Sequence, residues 1–599
     1  MTANEALKTY FGYDNFRPLQ GEIIQSILDG RDTLALMPTG GGKSLCFQIP
    51  TLVMEGLCLV ITPLIALMKD QVENLKRRDI RAAAIYTGMS YDQQKVALDN
   101  CQWGPYRFLY VSPERLESEE FRERLSRLPI CLIAVDEAHC ISQWGYDFRP
   151  SYLKIAEIRD LIKGFKGSNI ETRVPILALT ATATPDVVDD IQERLAFREK
   201  HVLRKSFARS NLSYVVRQTN KKADEIVHIL SKVPGSAIVY VRNRQRTQEI
   251  AAYLNEKGIS ADYYHAGLSA KERSQKQEAW KKFRSSGVQE FRSSEVQEFR
   301  SSGVPSAPLN RGKASSAIRV IVATNAFGMG IDKPDVRVVI HHDLPDTIEA
   351  YFQEAGRAGR DEQKAFAVLL YDPSDKSKAH KRIGDNYPDP DTLQNVYHKV
   401  CNYLGVGADS GLGACFFVDM FDLCKKMHLP VLTTYSSLHL LSQMGYFSFD
   451  EEQEIHPRVR LRVSRRDLEE YRLSEAENSL LEHLMREYTG IFTELQYVHK
   501  LDDKHQELVA LAQKRIIDYV PRTKANVLRL SVNRQTVIRI PAEWYQQRKN
   551  HYANKLEAMV EYAENRHYCR SQLLLGYFGE NDAPTCGTCD ICRAKHKNK

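Results

Sequence analysis

Three groups of residues in this sequence have the types and spacing to do chemistry. The first is Pro38-Thr-Gly-Gly-Gly-Lys-Ser44, which follows a short apolar run and opens a helical pattern. Thr39, Gly40, Gly41 and Gly42 form a loop whose backbone N–H groups can converge on phosphates. Lys43 adds a point charge for the β- and γ-phosphates, and the Ser44 hydroxyl can hold Mg²⁺. Met37 stands where the strict pattern has its first glycine, yet three consecutive glycines still supply the tight turn. The second group is Asp136-Glu137, directly after the apolar run 131–135. A carboxylate at the end of a buried strand is costly unless it meets a cation, so Asp136 is read as a ligand of the Mg²⁺–nucleotide. Glu137 would polarise the attacking water. Together, in this order, the two motifs predict hydrolysis of a nucleoside triphosphate.

The third group is Cys569, Cys586, Cys589 and Cys592, spaced x₁₆, x₂ and x₂ with Gly587 in the turn. Four thiolates at these spacings suit a tetrahedral Zn²⁺, and no fifth group is poised for catalysis, so the metal is expected to be structural. Iron–sulfur ligation is the rival, because cluster-binding cysteines use similar spacing. The N-terminus has no cationic segment followed by an apolar one, so a disulfide framework is the poorer reading.

These residues need elements to hold them. Strand-like runs at 33–37, 57–62, 107–111, 131–135 and 176–179 form one set, and runs at 237–241, 261–264, 320–323, 336–341 and 365–371 a second. Buried runs of this kind, each followed by a helix, predict two parallel α/β sheets joined near 205–214. Residues 283–306 break the pattern with three copies of an octad that begins Phe-Arg-Ser-Ser, followed by Ser/Pro/Gly-rich sequence to Ser316. An octad has too little apolar surface for a core, so 284–316 is read as a mostly disordered surface insertion without a catalytic role. Beyond 371, the stretch 436–449 precedes a strand-like run at 458–463, and 508–520 precedes runs at 527–530 and 536–540. A helix, a turn and a hairpin outline a winged helix; for the second copy a small α+β packing domain is an equal alternative. A helical segment, 542–576, leads into the cysteines.

Composition narrows the class. Hydrophobic residues at 43% and charged residues at 27% exclude global disorder. The apolar runs fall short of the roughly 20 residues a membrane span requires, so a soluble intracellular chain is expected. A net charge of +7 permits a polyanionic partner without demanding one.

Longer motifs carry a resemblance. Phe11-Gly-Tyr, Phe16-Arg-Pro-Leu-Gln20, Met37-Pro-Thr-Gly-Gly-Gly-Lys-Ser44 and Asp136-Glu-Ala-His-Cys-Ile-Ser-Gln-Trp-Gly-Tyr-Asp-Phe-Arg-Pro150 resemble the RecQ family of superfamily 2 DNA helicases. So do Ala178-Leu-Thr-Ala-Thr-Ala183, Tyr264-His-Ala-Gly-Leu268, Ala323-Thr-Asn-Ala-Phe-Gly-Met-Gly-Ile-Asp332 and Gln353-Glu-Ala-Gly-Arg-Ala-Gly-Arg-Asp361. The C-terminal Arg570-Ser-Gln-Leu-Leu-Leu-Gly-Tyr-Phe-Gly-Glu580 and the cysteines resemble the family's zinc module. The resemblance implies two RecA-like lobes with ATP between them. Gln20 would read the adenine edge with Arg17 beside it, and Arg357 and Arg360 would reach the γ-phosphate as arginine fingers. Gln143, Trp144, Phe148 and Arg149 resemble the family's aromatic-rich loop, whose rings accept unstacked bases at about 1–3 kcal/mol each.

The implied protein is an ATP- and Mg²⁺-dependent 3′→5′ DNA helicase with structural Zn²⁺, acting in recombination, repair, replication and the SOS response. Its partners would be single-stranded and forked DNA and a single-stranded DNA-binding protein, with no membrane, in a bacterial-type, nucleoid-associated cytoplasmic setting. The rivals are a translocase that separates no strands and a non-catalytic winged-helix DNA-binding protein. The expected organisation is α/β: lobe 1 at 1–206, lobe 2 at 207–370, a winged-helix-like segment at 371–465, a second such or small α+β segment at 466–541, and a helical zinc-binding module at 542–599. Two departures from the family stand out. About 200 residues separate lobe 2 from the zinc module, and Phe207-Ala-Arg-Ser-Asn211 lacks the usual Asp-Arg-Pro.

Overall fold

The computed structural model describes the chain outside Thr39, 87–88, Ser90, 143–148, 163–172, 284–316, 328–332, 456, 465–466, 489, 494–495, 499–500, 502–503, 521–522 and 598–599. The chain forms two compact units, Met1–His380 with His551–Lys599, and Lys381–Asn550. The octad insertion lies outside the described residues.

Aliphatic runs buried on both faces have no polar side to give to water, so they pair in parallel under helices. In lobe 1 these are β1 (Thr33–Leu36), β2 (Leu57–Ile61), β3 (Ala82–Ile85), β4 (Phe108–Val111), β5 (Ile130–Val135), β6 (Ile176–Thr180) and β7 (Val202–Arg204), in the order β3-β4-β2-β5-β6-β1-β7. That order puts β5, β6 and β1 side by side. The loops leaving their carboxyl ends therefore meet, where open α/β sheets bind ligands. Asp32 fixes the start of β1: its carboxylate accepts from Ile176 N–H at 3.0 Å, Arg198 N–H at 3.0 Å and the buried Arg159 guanidinium at 2.5 Å.

Lobe 2 is built the same way from β8 (Leu212–Gln218), β9 (Ser236–Tyr240), β10 (Ala261–Tyr264), β11 (Val320–Ala323), β12 (Val336–His341) and β13 (Ala365–Tyr371), in the order β10-β11-β9-β12-β13-β8. The helix Ile348–Ala355, capped by the Thr347 hydroxyl on Ala350 N–H, ends just before Arg357 and Arg360. The C-terminal helices Arg570–Tyr577 and Asp590–Lys597 return to this lobe. There Asp590 accepts from Val216 N–H of β8 at 3.3 Å, and buried Lys555 pairs with buried Glu349 at 2.8 Å.

The second unit opens with a winged-helix-like order of elements: helix Pro390–Tyr403, β14 (Cys415–Val418), helices Met420–Met427 and Val431–Gln443, then β15 (Phe447–Ile455). Its last strand comes much later. Between them lies a separate body of β16 (Arg458–Leu461), helix Glu475–Glu487, β17 (Gln496–Tyr497), helix His505–Gln513 and β18 (Ile517–Val520), after which β19 (Thr523–Leu530) returns to pair with β14 and β15. The expected pairings are corrected here. The run at 458–463 does not close the first winged helix. The run at 527–530 does not belong to the second segment, and 536–540 forms no strand. The reason is burial. Leu528 and Leu530 fill the core of Leu438, Leu441 and Phe447, whereas Val459 and Leu461 fill that of Leu480, Leu484 and Leu508. Alternation marks a strand but does not say which sheet takes it. Of the two alternatives for the second segment, a winged helix or a small α+β domain, the strands follow the latter: it is a small α+β body set between the β15 and β19 strands.

Candidate active site and cysteine centre

The phosphate loop follows β1 and is held from the N-terminal segment. The Gln20 side-chain amide donates to Gly42 O at 3.0 Å and Gly41 O at 3.4 Å and accepts from Arg17 N–H at 2.9 Å. The Arg17 guanidinium donates to Gly40 O at 2.9 Å. Gly40 and Gly42 have φ of +82° and +78°, and a Cβ on Gly42 would run into the Gln20 amide. Only glycine serves there. Gln20 is buried and both ends of its amide are used on backbone, so in this arrangement it braces the loop. Leu19, at φ +76°, turns the chain to start its helix.

Asp136 follows β5. Its Oδ2 accepts from the Thr62 hydroxyl at 3.4 Å and its backbone carbonyl from the Tyr152 hydroxyl at 3.0 Å. Burial pushes the Asp136 carboxyl up to about 6, the neighbouring Glu137 charge adds to this, and Lys43 opposes it. A carboxylate so disfavoured by its surroundings is one that a cation would relieve. Ser44, whose hydroxyl caps no backbone N–H at the start of helix Leu45–Val53, supplies a second hard oxygen. The pair therefore fits Mg²⁺. Glu137 sits in the left-handed region at φ +48°, strain of the kind kept at functional positions. Its Oε1 lies 3.9 Å from Lys43 Nζ; its buried Oε2 lies 3.5 Å from His139 Nδ1 and takes no hydrogen bond among the described residues. His139 Nδ1 meets the Thr180 hydroxyl at 2.9 Å, tying the loop after β5 to the end of β6.

These groups line a cleft of about 680 Å³ with Gln20, Lys43, Ser44, Asp136 and Glu137 on one side and Arg360 of lobe 2 on the other. A Cβ on Gly40 would lie 3.5 Å from Arg360 Cγ, so lobe 2 reaches the phosphate loop through that side chain. Arg357 is not among the described residues that line the cleft. It is buried, beside the Tyr240 phenol, whose ionisation its charge eases while burial pushes the phenol well up. The charge of Arg360 also eases ionisation of the same phenol, so both arginines lie near Tyr240 while Arg360 alone of the two lines the cleft. Thr39, Gln143, Trp144 and Phe148 lie outside the described residues. Arg149 is described: it pairs with Glu114 at 3.6 Å and its N–H donates to Cys140 O at 2.8 Å. Sequence reasoning did not single out Thr62, His139, Thr180 or Tyr13, a half-exposed aromatic lining the same cleft. Tyr13, His139 and Thr180 stand within the quoted motifs without a role of their own; Thr62 is marked only by proximity after folding.

The four cysteine sulfurs lie within 4.8 Å of one another. Tetrahedral zinc with Zn–S bonds of about 2.3 Å places its sulfurs about 3.8 Å apart. Cys569 to Cys586 is 3.5 Å and Cys569 to Cys589 is 4.0 Å. Backbone N–H groups of Cys586, Cys589 and Cys592 donate to Cys569, Cys586 and Cys589 sulfurs at 3.3, 3.3 and 3.4 Å, stabilising thiolates. The donor set fits zinc, and Arg570, paired with Asp590 at 3.2 Å, holds the last turn in place.

The chain matches the DEAD/DEAH box helicase family over 17–191, the helicase conserved C-terminal domain over 300–362, and the RecQ zinc-binding family over 531–593. It is 40% identical to the ATP-dependent DNA helicase RecQ of Pasteurella multocida, over 63% of this chain and 54% of that protein. It is likewise 40% identical to the Haemophilus influenzae ATP-dependent DNA helicase RecQ, over 67% of this chain and 58% of the relative. It is 38% identical to the probable ATP-dependent DNA helicase RecS of Bacillus subtilis, over 62% of this chain and 67% of that protein. The chain thus spans little more than half the length of the first two relatives. Among the described residues no helix is long and apolar enough to cross a membrane.

Proposed function

The chain belongs to the RecQ family, and from that premise we propose that it is an ATP- and Mg²⁺-dependent DNA helicase that moves 3′→5′ along one strand and separates duplex DNA. One observation carries the reading: Gln20, Lys43, Asp136 and Glu137 of lobe 1 line one cleft with Arg360 of lobe 2. A nucleotide held by lobe 1 can be hydrolysed well only when lobe 2 brings its arginine to the γ-phosphate. Closing and opening of the cleft is then the stroke that moves the lobes on DNA.

In that stroke Lys43 holds the β- and γ-phosphates and the loop N–H groups cradle them. Asp136 and Ser44 would hold Mg²⁺, which supplies charge neutralisation at the phosphates. Glu137 orients the water and takes its proton. Arg17 and Gln20 keep the loop in shape beside the base, and Arg360 acts on charge that develops in the transition state. Gln143, Trp144, Phe148 and Arg149 are proposed to contact the strand, a few residues from Glu137, and so to report DNA to the hydrolytic centre. Cys569, Cys586, Cys589 and Cys592 would hold Zn²⁺, whose part is to fold the C-terminal module.

The lobes are assigned to 1–206 and 207–370 and the zinc module to 542–599. Single-stranded and forked DNA are the proposed nucleic-acid partners and a single-stranded DNA-binding protein the protein partner, within recombination and repair in an intracellular, nucleoid-associated setting. The test is release of a labelled strand from a forked duplex with and without ATP. ATP-dependent release is expected; DNA-stimulated hydrolysis with no release would instead fit a translocase.

A further inference from the structure

The loop that carries Arg360 is gripped from outside its own lobe's sheet. The interlobe linker, 205–211, leaves β7 and enters β8. From it the Arg209 guanidinium donates to Gly356 O at 3.0 Å, Ala358 O at 3.0 Å and Gly359 O at 2.5 Å. The Asn211 side-chain amide donates to Gly359 O at 2.7 Å and Gln363 O at 2.9 Å. Gly359, at φ +62°, has no room for a Cβ, which would lie 2.7 Å from the Asn211 amide and 2.8 Å from Ala365. The loop therefore goes where the linker holds it.

The linker is in turn held by the zinc module. The Glu580 carboxylate accepts from the Ser206 hydroxyl at 2.6 Å and from Phe207 N–H at 2.8 Å. Arg204, the last residue of lobe 1's edge strand, donates to Phe578 O at 3.2 Å. The buried rings of Phe207, Phe352 and Phe578 come from the linker, the helix before Arg360 and the zinc module. Their centroids lie 5.0–5.9 Å apart. Buried Lys555 adds its pair with Glu349 on the same helix. Three of the five residues in the departing motif 207–211 make these contacts: Phe207, Arg209 and Asn211.

We propose that Glu580 is a positioning residue: by fixing 206–207 it lets Arg209 and Asn211 aim the Gly356–Gly359 backbone, and hence Arg360, at the phosphate loop. This rests on the reading of Arg360 as the group that acts on the γ-phosphate. It assigns the C-terminal module a part in hydrolysis that its distance along the chain hides, since Glu580 and Ser206 are 374 residues apart.

The test is steady-state ATP hydrolysis by the full chain at saturating single-stranded oligonucleotide. Glu580→Ala is expected to lower kcat about tenfold, within the range that misplacing a reacting group by ~1 Å produces. Its KM for ATP should stay within about twofold of wild type, because lobe 1 holds the ground state. Glu580→Gln, which keeps one acceptor, should recover part of the loss. The double variant Glu580→Ala/Arg360→Ala should be no slower than Arg360→Ala alone, which simple destabilisation does not predict. Wild-type kcat in Glu580→Ala, or a double variant slower than Arg360→Ala by the full single-variant factor, overturns the proposal. Should Glu580→Ala not fold, Ser206→Ala removes one of the same hydrogen bonds from the linker. It is expected to be about threefold slow, and a wild-type rate there overturns the proposal equally. A wild-type chain that hydrolyses no ATP would instead overturn the function on which the proposal rests.

Discussion

The phosphate loop of lobe 1 and the arginine loop of lobe 2 face each other across one cleft, but they are held in place differently. Arg17 and Gln20 brace the first from 23 and 22 residues upstream, so its shape belongs to a short stretch of chain. The second is held by Arg209 and Asn211, which contact it from 147 to 152 residues away, and through them by the C-terminal module. Ground-state binding needs a loop that is always formed. An arginine that acts in the transition state can depend on parts that move.

The largest expected effect is at Lys43. Lys43→Ala should cut ATP turnover by about 10³-fold or more, while oligonucleotide binding, measured by fluorescence anisotropy, stays unchanged. Normal turnover would remove the phosphate loop from the chemistry. Next comes the contrast between two arginines of one motif. Arg360→Ala should lower kcat by about 10³-fold with little change in KM. Arg357→Ala, which empties a buried position beside Tyr240, should destabilise lobe 2 by about 1.5–3 kcal/mol in denaturant titration. Equal kcat losses with equal stability in the two variants would dissolve the distinction.

A smaller effect concerns pH. Asp136 is raised above the ordinary carboxylate range, to about 6, so the nucleotide-free fold carries a cost when this carboxyl is charged. For a carboxyl raised on folding, stability is lost as pH rises through the unfolded value of about 3.9 to the folded one, and stays lost above it. Asp136→Asn removes that cost. Its gain in melting temperature over wild type should be largest above pH 6 and shrink as pH falls toward 4. A gain constant from pH 4 to 8 would contradict the assignment. At limiting Mg²⁺, hydrolysis should run the other way, falling as pH drops below about 6, because Asp136 must lose its proton before it can hold a cation. The smallest effect expected is from removing residues 284–316: ATP turnover should stay within about twofold, because loop insertions are tolerated where they carry no catalytic group. A collapse would make the insertion part of lobe 2's work.

What the sequence made legible follows the same division. Strand, glycine loop, Lys43 and helix are contiguous, and Asp136-Glu137 ends an unmistakable buried run, so both could be read before any fold was known. The four cysteines announced themselves by spacing. Arg357 and Arg360 looked alike, since a pattern of residue types does not say which side chain lines the cleft. The runs at 458–463 and 527–530 were visible as strands, but their partners depend on which of two cores buries Val459 or Leu528. Arg209 and Glu580 stood inside quoted motifs, but nothing local gave either of them a role. Their meaning is their contacts, and those join segments hundreds of residues apart.

The most direct measurement is the rate of ATP hydrolysis by the purified chain as a single-stranded oligonucleotide is titrated in. A motor whose cleft closes on DNA should speed up severalfold and saturate. A rate indifferent to the oligonucleotide would contradict the coupling of the two lobes to a strand.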